Sequence, residues 1–174
     1  MTPFQLEELS LPHERQLVGS SLFVHNGSKI LTTKITNSAQ FKKFIKESAK
    51  HRFDWRPGPN KISITRYAML NSENQVQALG LMRFPLDSTT ELEGGNIIVE
   101  VPVTMRDQGL GSMCLALMLF EAVRAGLRRV FVTCAAADGA ARRMIEKNRG
   151  ELQEIIKVPS LSDREVARYW IRVT

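Results

Sequence analysis

The sequence predicts an α+β domain. Three observations carry that expectation: two strand-like runs joined by a short polar turn near mid-chain, a long apolar helix behind a glycine-containing loop, and two closing strands after a short capped helix. A chain of 174 residues is one domain's worth, and residues 1–174 are expected to share one core. Its formal charge of +6 is spread over "KKFIKESAK", the arginine pairs at 128–129 and 142–143, and the last strand. No basic block or interleaved aromatics accompany it. A solvated basic surface accounts for this better than a nucleic-acid footprint, so no nucleic-acid partner is expected, although charge alone does not choose and the field would also attract a polyanionic small ligand.

Taken in order, the start "MTPFQLEELSLPHERQ" carries acids early and has no apolar leader core. The longest uninterrupted apolar run, Met113 to Phe120, is too short to span a bilayer, so a soluble, cytoplasmic protein without a membrane partner is expected. Residues 38–50 place Phe41, Phe44, Ile45 and Ala49 on one helical face behind Ser38 as a candidate cap. "RPGPN" at 56–60 cannot continue that helix, because each proline removes a donor and biases its predecessor to extended geometry. "KISITRYAML" and "QVQALGLMRF", joined by "NSEN", then read as a hairpin.

An eleven-residue polar loop, "PLDSTTELEGG", leads into the β-rich run "NIIVEVPV", which ends near Pro102. Residues 111 to about 125 are apolar nearly all round, the pattern of a helix packed between a sheet and other structure, and Gly126 stops it. "RRVFVTC" is a buried strand by its β-branched content, "DGAARRMIEKN" a short helix with Asp138 as N-cap, and "ELQEIIKV" and "EVARYWIRV" the closing strands. No linker or internal repeat interrupts this order.

The chemistry is concentrated at Arg106-Asp107-Gln108-Gly109-Leu110-Gly111-Ser112. A strand that runs into this loop and turns at once into a helix presents free backbone N–H groups at the positive end of the helix dipole. The absence of side chains at Gly109 and Gly111 lets phosphate oxygens approach the main chain. A tight turn that merely packs is the alternative. No GxxxxGK[ST] is present, and "GLGSMC" lacks the third glycine of a dinucleotide fingerprint. Cys114 and Cys134 read as core cysteines; His13, His25 and His51 form no metal-ligand spacing and no triad, so no metal is expected.

The stretch "VPVTMRDQGLGSMCLALMLFEAVRAGLRRVFVTC" resembles the acetyl-CoA-binding core of the GNAT superfamily of N-acetyltransferases, with its [RQ]xxGx[GA] signature. "LGLMRFPLDSTTELEGGNIIVEV", "VTCAAADGAARRMIEKNRGEL" and the terminal "RYWI" resemble matching segments of one bacterial branch, so the likeness runs from about Trp55 to the end. It implies a mixed, mostly antiparallel sheet of six or seven strands with helices on both faces and a V-shaped opening between the family's fourth and fifth strands. The first fifty residues would supply its early strand and helices.

The resemblance further implies that the amides of Gln108, Gly109, Leu110, Gly111 and Ser112 hold the CoA pyrophosphate behind Arg106, with pantetheine pairing like an extra strand near Val101 and Val103. Asp138 and Ala141 align with the asparagine and small residue near the pantetheine arm, Asn96 with the branch's histidine, and Ile145 with a tyrosine that many relatives use as the acid for the thiolate. Acetyl transfer by direct attack needs a base and an oxyanion donor. Glu100 is the candidate base, and a main-chain N–H near Val101 the donor. Tyr169 in the "YW" pair reads first as core. Asp87, Glu91 and Glu93 form an acidic stretch that could draw a cationic amine, or a merely solvated one. The expected activity is transfer from acetyl-CoA to a primary amine of a small molecule, with a peptide or protein acceptor and a non-catalytic CoA-binding module as alternatives. A homodimer through the apolar helix or last strands is left open.

Overall fold

A computed structural model describes residues 4–26, 29–50, 62–92, 94–158 and 164–174, and only the backbone at 21–26, 29–33 and 89. Trp55, His51, Glu93 and the proline break at 56–60 lie outside the described residues. Strand β1 (Gln5–Glu8) is followed by a 3-10 turn (Leu11–His13) running into α1 (Glu14–Leu17), then by a separate hairpin of β2 (Ser21–Asn26) and β3 (Lys29–Lys34). Helix α2 (Ser38–Lys50) buries Phe41 and Phe44, as its period requires. Its cap falls one residue before the expected Ser38. Asn37 Oδ1 accepts from Gln40 N–H at 3.0 Å, while Gln40 Oε1 accepts from Thr36 N–H at 2.9 Å.

The predicted hairpin is β4 (Ser63–Leu70) against β5 (Val76–Phe84). The loop after it is not wholly irregular. Residues 88–92 form a short helix, α3 (Ser88–Leu92), because Asp87 and Thr90 cap one another: Thr90 N–H donates to Asp87 Oδ1 at 2.8 Å, and Asp87 N–H to Thr90 Oγ1 at 2.7 Å. Strand β6 is shorter than its β-rich sequence suggested, Ile97–Glu100, and Val103–Met105 is a 3-10 turn. Then follow α4 (Leu110–Arg124), β7 (Arg129–Ala135), α5 (Gly139–Lys147), β8 (Glu151–Val158) and β9 (Arg164–Arg172).

The strands order as β1-β4-β5-β6 in one sheet and β7-β9-β8 in another, every ladder antiparallel. No ladder joins β6 to β7. The expected sheet of six or seven strands is thus present as two half-sheets of four and three strands that part between β6 and β7, with β2 and β3 apart from both among the described residues. Helix α4 lies on one face, where Met118, Cys114 and Leu115 meet Met69, Ala78, Met82 and Ile97; α2 lies on the other, with Phe41 and Phe44 against Ala68, Leu70 and Leu79. Gly80 belongs to the α4 side, and a Cβ there would strike the Met118 thioether, so this glycine sets how closely helix and strand approach. Helix α4 ends as predicted at Gly126, φ 81°, with Gly126 N–H donating to Val123 O and Leu127 N–H to Ala122 O. It is not covered all round, however. Met113, Val123 and Phe120, the last 69% exposed, leave an apolar stripe facing solvent.

Candidate functional site

The parting of the half-sheets is fixed at one end. Gly94 and Gly95 take φ 91° and 62°, and this bend carries the chain across β7 before β6 begins. A Cβ on Gly95 would collide with the Phe131 carbonyl, so only glycine lets the two main chains come this close. Asn96, buried, donates its N–H to Phe131 O at 2.6 Å, and its Oδ1 accepts from Phe131 N–H at 2.8 Å. Beyond this point β6 and β7 share no ladder pair, and the two half-sheets are unbonded along the stretch that leads to Glu100 and the glycine loop.

At the open end, register decides which way each side chain faces. Glu100 stands opposite Leu79, a member of the α2-side core, whereas Val99 stands opposite Gly80 on the α4 side. Glu100 therefore lies on the α2 face, which alternation alone left undecided. It is half-buried, and its Oε2 is buried without a hydrogen-bond partner among the described residues. Burial pushes its carboxyl above the ordinary carboxylate range, opposed by the nearby Arg106 charge. A carboxylate so placed is a stronger proton acceptor than a solvated one.

Val101 follows β6 directly, and its N–H donates to no described backbone acceptor, while its carbonyl accepts from Arg106 Nε at 3.4 Å. That contact closes the turn between strand and loop. Val103 lies beyond the strand, inside the 3-10 turn and 75% exposed; strand-like pairing to a ligand at that residue is not what its geometry offers. Asp107 (φ 61°) and Gly109 (φ 77°, ψ 0°) then reverse the chain, and Gly109 is the N-cap of α4. No described acceptor takes the N–H groups of Gln108, Gly109, Leu110, Gly111 or Ser112. These five donors stand at the positive end of a fifteen-residue helix, where the dipole favours negative charge.

The two glycines serve different ends. Gly109 is required by its left-handed φ, since a Cβ there would meet nothing within 4 Å. Gly111 instead lets α5 approach: a Cβ there would lie 3.0 Å from Met144 Sδ and 3.6 Å from Val101 Cγ2. Asn148 Nδ2 reinforces this contact by donating to Ser112 O at 3.1 Å and Met144 O at 2.9 Å. Val101, the first turn of α4 and the body of α5 thus meet at one place.

Asp138 caps α5 as predicted, its Oδ1 accepting from Ala141 N–H at 2.9 Å, which leaves that N–H unavailable to a ligand. Ile145 is fully buried in the core below α4. Tyr169 is core as well, but its hydroxyl is engaged, accepting from Arg142 Nε and donating to Glu146 Oε1, both at 2.9 Å. Of the acidic stretch, Asp87 is committed to the α3 cap, and the Glu91 carbonyl accepts from Arg168 Nη2. His13 is buried with Nδ1 held by Ser10; among the described residues no His, Cys, Asp or Glu cluster could hold a metal ion. Sequence reasoning missed the Asn96–Phe131 tie and its neighbours Arg83 and Thr133. The adjacent glycines before Asn96 were the available signal.

No protein-family model matches the sequence, and no curated protein does. Solved structures do match in shape. A spermidine/spermine N-acetyltransferase from Vibrio cholerae superposes with a TM-score of 0.68 at 10% identity, covering 97% of this chain and 92% of that one. A dodecameric form of the spermidine enzyme from that organism gives 0.66 at 10%, covering 97% and 93%. A protein provisionally assigned as a phosphinothricin N-acetyltransferase gives 0.62 at 12%, covering 99% of both. The chain has the fold of the GNAT N-acetyltransferases. None of the described helices is long and apolar enough to cross a membrane.

Proposed function

We propose that this protein is a cytoplasmic N-acetyltransferase that uses acetyl-CoA and acts on a primary amine of a small molecule. The observation that carries the reading is the joining of two features at one cleft. Five unpaired N–H groups lie at the α4 N-terminus, and a carboxylate with a buried, unpartnered Oε2 lies at the end of β6. The first fits a pyrophosphate, and the second fits proton removal from an amine. Arg106 adds positive charge at the mouth of the loop.

Acetyl-CoA, when bound, supplies an acetyl thioester open to direct attack by an amine. Residues 108–112 would hold its diphosphate through main-chain N–H groups, and its arm would run beside Val101. Glu100 takes the proton that the attacking amine sheds, directly or through one water. The Val101 N–H, rather than pairing with the arm, would be the donor for the thioester oxygen on which negative charge develops. Ile145 offers no proton to the departing thiolate, which is left to water. That same burial favours a second reading, a non-catalytic CoA-binding module.

Ser112→Asp tests the reading. An acid in the first helical turn complements the dipole, so the fold is retained or slightly strengthened, by about 0.3–1 kcal/mol. Yet the carboxylate occupies the anion cradle. Calorimetric titration with acetyl-CoA should show affinity lowered by more than about tenfold in the variant, or ~1.4 kcal/mol. Equal binding by the two proteins would remove the loop from cofactor recognition. Release of CoA thiol in the presence of an amine library separates the enzyme from the binding module.

A further inference from the structure

The two half-sheets are joined at their closed end by a compact set of bonds centred on Asn96. Its backbone N–H and Oδ1 both engage Phe131 on β7; its Nδ2 donates to Arg83 O at 3.1 Å, and its carbonyl accepts from Arg83 N–H at 2.8 Å on β5. Every polar group of this buried residue is committed. Two further bonds lock the bend before it: Gly94 N–H donates to Thr133 Oγ1 at 2.7 Å, and Arg83 Nε to Gly95 O at 2.6 Å. No ladder bond continues the union toward Glu100 and Val101.

We infer that Asn96 is a positioning residue that sets the width of the cleft, holding β6 and β7 at a fixed angle so that an extended acyl-carrying arm enters a preformed slot. The inference rests on the reading of that cleft as the pantetheine site. Its physical basis is the asymmetry of the bonding. A wedge held at its apex by a few bonds opens over a wider range when the side chain that joins both halves lets go. Asparagine suits the apex because it both accepts from one half-sheet and donates to the other, whereas an alanine removes both the bond from Phe131 N–H and the bond to Arg83 O in a buried place. With the apex loosened, the facing main chains sample a range of separations. Binding of the arm must then pay to order them, whereas binding of phosphate at the α4 N-terminus, on the far side of the opening, does not.

The test compares acetyl-CoA with ADP, which carries a diphosphate but no arm, titrated as a competitor at millimolar concentration. In Asn96→Ala, acetyl-CoA affinity should fall about tenfold, the equivalent of one buried hydrogen bond, while the ADP constant stays within about twofold of the parent. Thr133→Val keeps the side-chain volume and removes one outer tie. It should shift acetyl-CoA by about threefold in the same direction, and it carries the test if the alanine variant does not fold. A parallel loss of both ligands, or a change in neither, overturns the role of Asn96. Failure of acetyl-CoA to bind the parent protein, or of ADP to compete there, overturns instead the reading of the cleft on which it rests.

Discussion

Replacing Gly109 by alanine isolates the backbone requirement of the loop before α4 from any packing requirement. Gly109 sits at φ 77° and ψ 0°, and a Cβ built on it meets no atom within 4 Å, so the contact cost is nil. What remains is the left-handed conformation, ~1–2 kcal/mol for an L-residue. The lower entropy of alanine in the unfolded chain makes that difference larger or smaller only through the denatured state: it offsets ~0.4–1 kcal/mol where the native angles are tolerated. The net loss should be about 1 kcal/mol, which for a chain of this length lowers Tm by ~2–4 °C. Gly109→Asn should lose roughly half as much, because asparagine visits this region more readily. Urea and thermal unfolding of the two variants beside the parent supply the measurement. An asparagine variant no better than alanine, or an alanine variant as stable as the parent, would refute the argument from φ. Gly95→Ala is the contrasting case. There the Cβ is driven into the Phe131 carbonyl, a main-chain atom that cannot swing aside, and loss of the fold is expected.

Glu100→Gln should lower acetyl transfer by about a hundredfold and abolish the acid limb of its pH profile. The same change should make the protein more stable than its parent near pH 8. Burial raises the Glu100 carboxyl, so as pH climbs past its ordinary 4.5 the unfolded chain ionises first and the native state is penalised; below that both forms are protonated and the difference vanishes. A variant no more stable at pH 8 would mean that the carboxyl is not desolvated. Tyr169→Phe removes two hydrogen bonds from an engaged hydroxyl, costing about 1 kcal/mol of stability, and should leave turnover within about twofold; a collapse of kcat in a folded variant would make that hydroxyl the missing acid. Burial pushes the Cys114 thiol up to about 12 and that of Cys134 up to about 11. At pH 8 about one thiol in a thousand or fewer is then ionised, so iodoacetamide should label neither until the chain unfolds. Mass spectrometry showing Cys134 labelled at the rate of a free thiol would contradict that picture.

Much of the architecture was legible because it is local. The strand-like runs "KISITRYAML" and "QVQALGLMRF" with their polar turn, the period of residues 38–50, the Asp138 cap and the Gly126 stop each depend on a few neighbouring residues, and each stands where the sequence placed it. The turn from strand to helix at the glycine loop was legible for the same reason, and its free N–H groups follow from it. Local pattern misled where two polar residues met through space: Asp87 and Thr90 made a helix inside an apparent loop, and the 3-10 turn at Val103 ended β6 early.

What the sequence by itself determined, then, is the order of the elements and the presence of a glycine-bearing strand-to-helix turn, because hydrophobic period, caps and glycines act over one or two turns of chain. Only the tertiary structure decided which face Glu100 occupies, that Ile145 is spent in the core, that Phe120 is left in solvent, and that Asn96 pins two half-sheets together. Those are matters of register and of contact between residues tens of positions apart. A strand's alternation is unchanged when its two faces are exchanged, so only pairing with a neighbour and packing against a helix can tell one face from the other.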